Sequence, residues 1–286
     1  MTWNIEGKRV LLTGASRGIG HATALGLARA GANLSLLVRN REAGERVIEE
    51  IRAINPKVRA DLFVADLSSQ KEIRRLATEY LQKHDRLDVL LNNAGAIYSH
   101  RETTVDGYER TFATNHLAYF LLTVLLLDLV KKSAPARIIN VASLAHNWDR
   151  LDFDDLMFEK RPYHGFRAYG CSKLANVLFT HELARRLDGT SVTANCLHPG
   201  AIASGFGQNN QSLFGWIMRN VASPFLRGEE AGARTSIYLA ISPEVEGKTG
   251  LYFANRRAVT PNSVARDAAT AERLWKVSEQ LVQKTA

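Results

Sequence analysis

The sequence predicts an α/β fold: a single doubly wound, parallel sheet of about seven strands flanked by helices. Two observations predict it. Short apolar runs alternate with longer amphipathic stretches along all 286 residues, the pattern of a parallel sheet covered on both faces. No linker-like stretch divides the chain, so residues 1–286 read as one domain despite a length that allows two.

The elements follow in order. Lys8 to Thr13 is an apolar run that stops at Gly14 and reads as a buried strand. Ile19 to Ala30 is a helix with Gly31 just past its end. Asn33 to Val38 is a second strand, and Arg41 to Ile54 a charged amphipathic helix halted before Pro56. Val58 to Val64 is a third strand. A helix from Ser68 to Lys83 follows, capped by Ser68 or Ser69. Val89 to Leu91 is a short strand leading into Asn92-Asn93-Ala94-Gly95. Helices are expected over Tyr108–Val130, Tyr169–Leu187, Gly228–Ile241 and Arg273–Lys284. Strands are expected over Arg137–Val141, Ser191–Leu197 and Gly250–Phe253. Right-handed crossovers then open a ligand crevice at the carboxyl ends of the strands.

Composition removes several classes. Hydrophobic residues make up 45% and charged residues 23%, which is globular rather than disordered. Two cysteines, Cys171 and Cys196, without paired spacing argue against a disulfide framework and for a reducing, cytoplasmic setting. Residues 1–6 carry no signal-peptide pattern. The longest apolar stretch, Leu117 to Val130, is interrupted by Asp128 and shorter than the ~20 residues of a membrane span, so no transmembrane segment is expected. The net charge of +8 leaves nucleic acid, a membrane surface or a phosphorylated ligand as partners. Basic residues are scattered among acids rather than gathered with aromatics, which argues against nucleic acid.

Thr13-Gly14-Ala15-Ser16-Arg17-Gly18-Ile19-Gly20 lies between the first strand and the first helix. Glycines permit a tight turn, and a helix N-terminus offers free N–H groups to phosphate. A site for NAD usually ends the second strand with an acid that binds the ribose 2′-hydroxyl. Here the strand runs into Arg39-Asn40-Arg41. Arg17 and Arg39 suit a 2′-phosphate, so the sequence favours NADP(H) over NAD(H). Asp66, after the third strand, reads as an adenine acceptor, as a helix N-cap, or as both.

Tyr169 and Lys173 are spaced i, i+4 at a helix start, which puts them on one face. An ammonium beside a phenol favours phenolate and lowers its pKa toward neutrality. Such a tyrosine can give a proton to a carbonyl oxygen or take one from an alcohol. Ser143, just past the Arg137–Val141 strand, sits where a hydroxyl can bind the substrate oxygen.

These residues, in this order, with Asn115 and Pro199-Gly200, resemble the short-chain dehydrogenase/reductase family over nearly the whole chain. RIINVASLAH (137–146), AYGCSKLANVLFTHELARRL (168–187), LHPGAIAS (197–204) and ERLWKVSEQL (272–281) are similar to its retinol dehydrogenase-like branch. The resemblance implies a Rossmann-type fold and an NADP(H)-dependent alcohol dehydrogenase or carbonyl reductase. It implies Tyr169 as acid/base, Lys173 as its partner and holder of the nicotinamide ribose, Ser143 as the group orienting the carbonyl, and Asn115 as holder of a relay water. The cofactor would lie along Gly14, Ser16, Arg17, Gly18, Ile19 and Gly20. It would continue past Arg39, Asp66 and Leu67, and past Asn92, Asn93, Ala94 and Gly95. It would end near Tyr169, Lys173, Pro199, Gly200, Ile202 and Ser204. Membrane-bound members of the branch begin with an anchor helix, which residues 1–6 do not carry.

Ser143 and Tyr169 are separated by a long insert, 144–168, expected to form a rim of the substrate pocket; its aspartates read as solvated rather than as metal ligands. Residues 201–227 are expected to form an apolar substrate lid, with peripheral membrane contact as the alternative. Both segments suit a bulky apolar carbonyl or alcohol substrate. Cys171, His116 and His198 read as packed residues, and His21 as a side chain near the cofactor phosphates. A homodimer or homotetramer would pack through the helices at 108–130 and 169–187.

Overall fold

A computed structural model of the protein describes residues 2–200 and 228–283. The expected lid at 201–227, with Ile202 and Ser204, lies outside the described residues. The strands are β1 (Arg9–Thr13), β2 (Asn33–Val38), β3 (Ala60–Val64), β4 (Val89–Asn92), β5 (Ala136–Val141), β6 (Val192–His198), β7 (Tyr252–Ala254) and β8 (Arg257–Val259). The helices among the described residues are α1 (Gly18–Arg29), α2 (Arg41–Ile54), α3 (Gln70–Lys83), α4 (Arg110–Lys132), α5 (Gly165–Arg186), α6 (Glu229–Ile241) and α7 (Ala268–Gln283).

All eight strands form one sheet in the order β3-β2-β1-β4-β5-β6-β7-β8. Pairing is parallel from β3 to β7, and β8 turns back antiparallel onto β7. This eighth strand is an addition to the seven expected. Its residues are exposed on both sides, so no apolar run announces it. Alternate side chains of each strand enter opposite cores. Leu11, Leu37 and Phe63 face α3, α4, α5 and α7, packing with Tyr80, Leu126, Phe179 and Trp275. Val10, Leu12 and Leu36 face α1, α2 and α6, packing with Leu27, Val47 and Leu239.

Local chemistry sets the helix ends. Asn40 caps α2 through Ala43 N at 2.8 Å, and Ser69 caps α3 through Glu72 N at 3.4 Å. Asp66 is not a helix cap: its carboxylate accepts from Ser68 N at 2.9 Å, two residues on. The helix expected to begin at Tyr169 begins four residues earlier, at Gly165. Helix α4 is 23 residues long and apolar enough to cross a membrane by length and composition, but 72% of its most apolar window is buried within the fold. Its ladder is not uniform. Residues Ala113–Leu117 form a π-turn, an extra residue that a 3.6-residue apolar rhythm does not reveal.

Among the described residues, those near both ends are tied in. The Trp3 indole donates to Ala240 O at 2.8 Å. Arg137 Nη1 donates to Leu239 O at 2.7 Å and Ala240 O at 3.1 Å, and its guanidinium lies 3.8 Å over the Trp3 ring. This buried arginine thus closes the C-terminal end of α6, where carbonyls lack helical partners; burial draws its pKa down to about 10. At the end of α7, Leu281 O accepts from Tyr108 Oη at 2.7 Å, and Val282 O from Arg74 Nη2 at 2.6 Å.

Candidate active site

The sheet order reverses at β1, which lies between β2 and β4. Crevices at such a reversal receive ligands at the carboxyl ends of the strands. A cavity of about 770 Å³ opens there, walled by the turns after β1, β2, β3, β4 and β5 and by the start of α5.

The β1–α1 turn forms one end. Gly14 has φ +70°, and a Cβ there would lie 2.8 Å from Ala94 Cα. A methyl on Gly20 would collide with the Gly14 carbonyl oxygen. Only glycine lets the turn close this tightly. Arg17, at the N-cap of α1, has an extended backbone and makes no side-chain cap bond, so the first turn of α1 offers its N–H groups to the cavity. Thr13 Oγ1 accepts from Asn93 N at 2.8 Å and Ala94 N at 2.9 Å, while Asn93 Nδ2 donates to Thr13 O at 2.9 Å. These bonds lock the β4 loop against the glycine turn. Asn93 therefore lines the cavity but spends its amide on the frame.

Of the residues singled out from sequence for the cofactor, Gly14, Ser16, Arg17, Gly18, Ile19, Gly20, Arg39, Asp66, Leu67, Asn93, Ala94, Gly95, Pro199 and Gly200 all line this cavity. Asn92 does not. It is fully buried beneath the site and donates to Asn140 Oδ1 at 2.9 Å and Thr123 Oγ1 at 3.1 Å. Arg46, which the sequence reading missed, joins Arg17 and Arg39 on the cavity wall. It stands on α2 one turn beyond Ala43, another lining residue, and that spacing was its only signal. Tyr98 was also missed. Burial raises its hydroxyl pKa, and the Arg110 guanidinium lies 4.8 Å from its ring.

Ser143, Tyr169 and Lys173 line the other end of the same cavity. Ser143 leaves β5 in extended conformation and caps a short turn by accepting from Ala145 N at 3.2 Å. The Ser143 hydroxyl beside Tyr169 draws the phenol pKa down, but burial is the larger effect and holds that phenol above its ordinary value. Lys173 is buried, donates to Val141 O at 3.0 Å, and has its pKa pushed down to about 7. Its Nζ lies 5.5 Å from the centroid of the Tyr169 ring. The expected depression of the tyrosine pKa by a neighbouring ammonium is thus not produced by these side chains alone. Desolvation weakens the lysine charge and raises the phenol together.

Asn115 lies in the π-turn of α4 and does not line the cavity. Its Oδ1 accepts from Ala96 N at 2.8 Å, and its Nδ2 donates to Ala96 O at 2.9 Å and Ser172 Oγ at 3.0 Å. The side chain is a strut between the β4 loop and α5, and a Cβ on Gly95 would touch both Asn115 Oδ1 and Lys173 Nζ at 3.4 Å.

The insert at 144–168 supplies the apolar mouth. Leu144, Trp148 and Phe166 line the cavity while remaining exposed, and the Trp148 and Phe166 rings meet edge to face at 5.9 Å. Two of its acids are tied into the fold. Asp149 accepts from Arg167 Nε at 2.7 Å, and Asp155 accepts from the main-chain N–H groups of Glu159, Lys160 and Arg161 at 2.6, 3.1 and 3.2 Å.

The packed residues are placed as follows. Cys171 is buried, its thiol pushed up to about 12 and facing Arg150 O at 3.3 Å. His116 is buried between Asn176 and Ser278, and burial lowers it to about 4. His198 accepts from Gly200 N at 3.1 Å. His21 does not turn to the cavity: its Nε2 pairs with Glu50 on α2 at 2.8 Å.

A family model described as short chain dehydrogenase matches residues 8–212. The chain is 43% identical to retinol dehydrogenase 12 of Mus musculus over 278 residues, covering 97% of this chain and 87% of that relative. It is 42% identical to retinol dehydrogenase 13 of Homo sapiens over 282 residues, covering 97% and 85%. Among solved structures, it resembles an uncharacterised protein from Mycobacterium paratuberculosis with TM-score 0.78 and 31% identity, covering 99% of this chain and 96% of the other. It also resembles Pseudomonas aeruginosa RhlG in an active-site complex with NADP, with TM-score 0.69 and 29% identity, covering 87% and 95%.

Proposed function

The chain belongs to the short chain dehydrogenase family, and from that premise we propose that it is an NADP(H)-dependent oxidoreductase interconverting a bulky apolar ketone or aldehyde and its alcohol. One observation carries this reading. A single cavity joins the uncapped N-terminus of α1 at one end to Ser143, Tyr169 and Lys173 at the other. That is the span a dinucleotide must bridge between its phosphates and its nicotinamide.

The residues present fit such a group. The α1 N-terminus suits the pyrophosphate, Arg17 and Arg39 suit a 2′-phosphate, and Lys173 suits the hydroxyls of the nicotinamide ribose. When bound, the nicotinamide supplies or accepts the hydride. The chain's own part is proton handling and orientation. Ser143 and Tyr169, which line the same end of the cavity, would share the substrate oxygen, with Tyr169 giving its proton in reduction and taking one back in oxidation.

The exposed apolar mouth at Leu144, Trp148 and Phe166 supports a bulky apolar substrate. Two relatives named as retinol dehydrogenases put retinal first among the carbonyls to try. The test is the loss of NADPH or NADH absorbance with purified protein and a panel of aldehydes and ketones that includes retinal. Turnover faster with NADPH than with NADH, and abolished in Tyr169→Phe, is the expected result. Tight NADPH binding without turnover of any carbonyl would overturn it in favour of a dinucleotide sensor.

A further inference from the structure

Helix α5 buries a polar face where an apolar one is the rule. Ser172, Lys173, Asn176 and Thr180 follow Tyr169 at helical spacing, and each is at most 2% exposed. Ser172 and Lys173 belong to the site already described. Asn176 does not reach the cavity, yet its bonds lead back to it. Its Nδ2 donates to the main-chain carbonyl of Asn115 at 2.9 Å. Its Oδ1 faces His116 Nδ1 at 3.4 Å, and His116 Nε2 faces Ser278 Oγ on α7 at 2.9 Å. Burial keeps His116 neutral, so one ring nitrogen donates to Asn176 while the other accepts from Ser278. The Asn176 carbonyl accepts from Thr180 Oγ1 at 2.7 Å, and Thr180 in turn accepts from Asn140 Nδ2 at 2.9 Å.

Asn115 and His116 both lie in the π-turn of α4, where the helical ladder shifts by one residue. Relaxing that turn to a plain α-helix would rotate the following residues by about 100° and carry the Asn115 side chain away from Ala96 and Ser172. A buried amide that binds both a main-chain carbonyl and a side chain of the turn holds it against such relaxation. We propose that Asn176 is a positioning residue for the reaction: it fixes the π-turn, and through it the Asn115 strut that sets the β4 loop beside Lys173. A side chain with only a packing role would need no donor aimed at Asn115, and burying an unpaired amide is costly.

This inference rests on the oxidoreductase reading above, so turnover by the intact protein and its loss in Tyr169→Phe are established first. If Tyr169→Phe keeps full activity, that reading fails before Asn176 is tested. The experiment is then a double-mutant cycle with Asn176→Leu, Asn115→Ala and the pair, measuring kcat, KM and NADPH affinity. Asn176→Leu is expected to lower kcat by roughly tenfold to a hundredfold, as small misplacements of catalytic groups do, with NADPH affinity within about twofold. In the Asn115→Ala background the same change is expected to cost under about threefold. Ser278→Ala, which cuts only the far end of the network, is expected to leave kcat within about twofold. If Asn176→Leu does not fold, Asn176→Ala is carried through the same cycle. Unchanged kcat, or equal losses with and without the Asn115 side chain, would overturn the proposal.

Discussion

Lys173 Nζ donates to the Val141 carbonyl at 3.0 Å and stands 5.5 Å from the centre of the Tyr169 ring. Burial drops its pKa from 10.5 to about 7. Between those values the unfolded chain keeps the proton and the folded one releases it. The stability of the cofactor-free protein is therefore expected to rise with pH from about 7 toward 10, and the full penalty to be present below 7. Urea titrations across that range test this. Lys173→Met should flatten the slope, raise stability at pH 6.5, and lower kcat by about a hundredfold or more. A Lys173→Met protein that is less stable at pH 6.5 would count against the assigned charge penalty.

Tyr169→Phe removes the group that transfers the proton and keeps the ring. Activity is expected to fall by about a thousandfold, within the range for general acid–base catalysis. Ser143→Ala should cost about a hundredfold, as loss of one oxyanion donor does. Neither should change NADPH affinity by more than about twofold, measured by quenching of protein fluorescence.

Arg39 lines the cavity with Arg17 and Arg46. Arg39→Asp should raise the KM for NADPH by about tenfold to a hundredfold, the worth of one charge-assisted bond plus a new repulsion. The KM for NADH should fall or stay level, since an acid there suits the free 2′-hydroxyl. Initial rates with both coenzymes give the ratio, and an unchanged ratio would remove Arg39 from the 2′-phosphate site.

Arg137→Met deletes two bonds to α6 carbonyls and the stack over Trp3. The loss should be roughly 1–3 kcal/mol, because the Leu239 carbonyl loses its partner, while Ala240 O keeps the Trp3 indole. A fall in Tm of several degrees by calorimetry, with kcat little changed, is the expected outcome.

Much of this arrangement was legible in the sequence. Glycines 14, 18 and 20, the Tyr169–Lys173 pair and Ser143 are motifs in which residue type and spacing carry the chemistry directly. The apolar runs marked the seven parallel strands because all but the edge strand β3 are largely buried on both faces. What escaped has physical reasons. The short strand Arg257–Val259 is exposed and basic at its start, so nothing apolar betrays it. The π-turn adds one residue to a helix that is apolar nearly all round, which leaves the pattern unchanged. Arg46 is one of many surface arginines until α2 is laid beside the cavity. The expected lowering of the Tyr169 pKa failed because spacing reports proximity and not desolvation.

The bond from Trp3 to Ala240 spans 237 positions of the chain. During synthesis the first strands can pair early, since β1, β2 and β3 are neighbours in both sequence and space. The indole N–H of Trp3, however, has its acceptor only once α6 has emerged from the ribosome. Until then the nascent chain carries that donor without its acceptor in the fold. This closure joins residue 3 to residue 240, so it follows the sheet's first pairings and waits for α6 to be made.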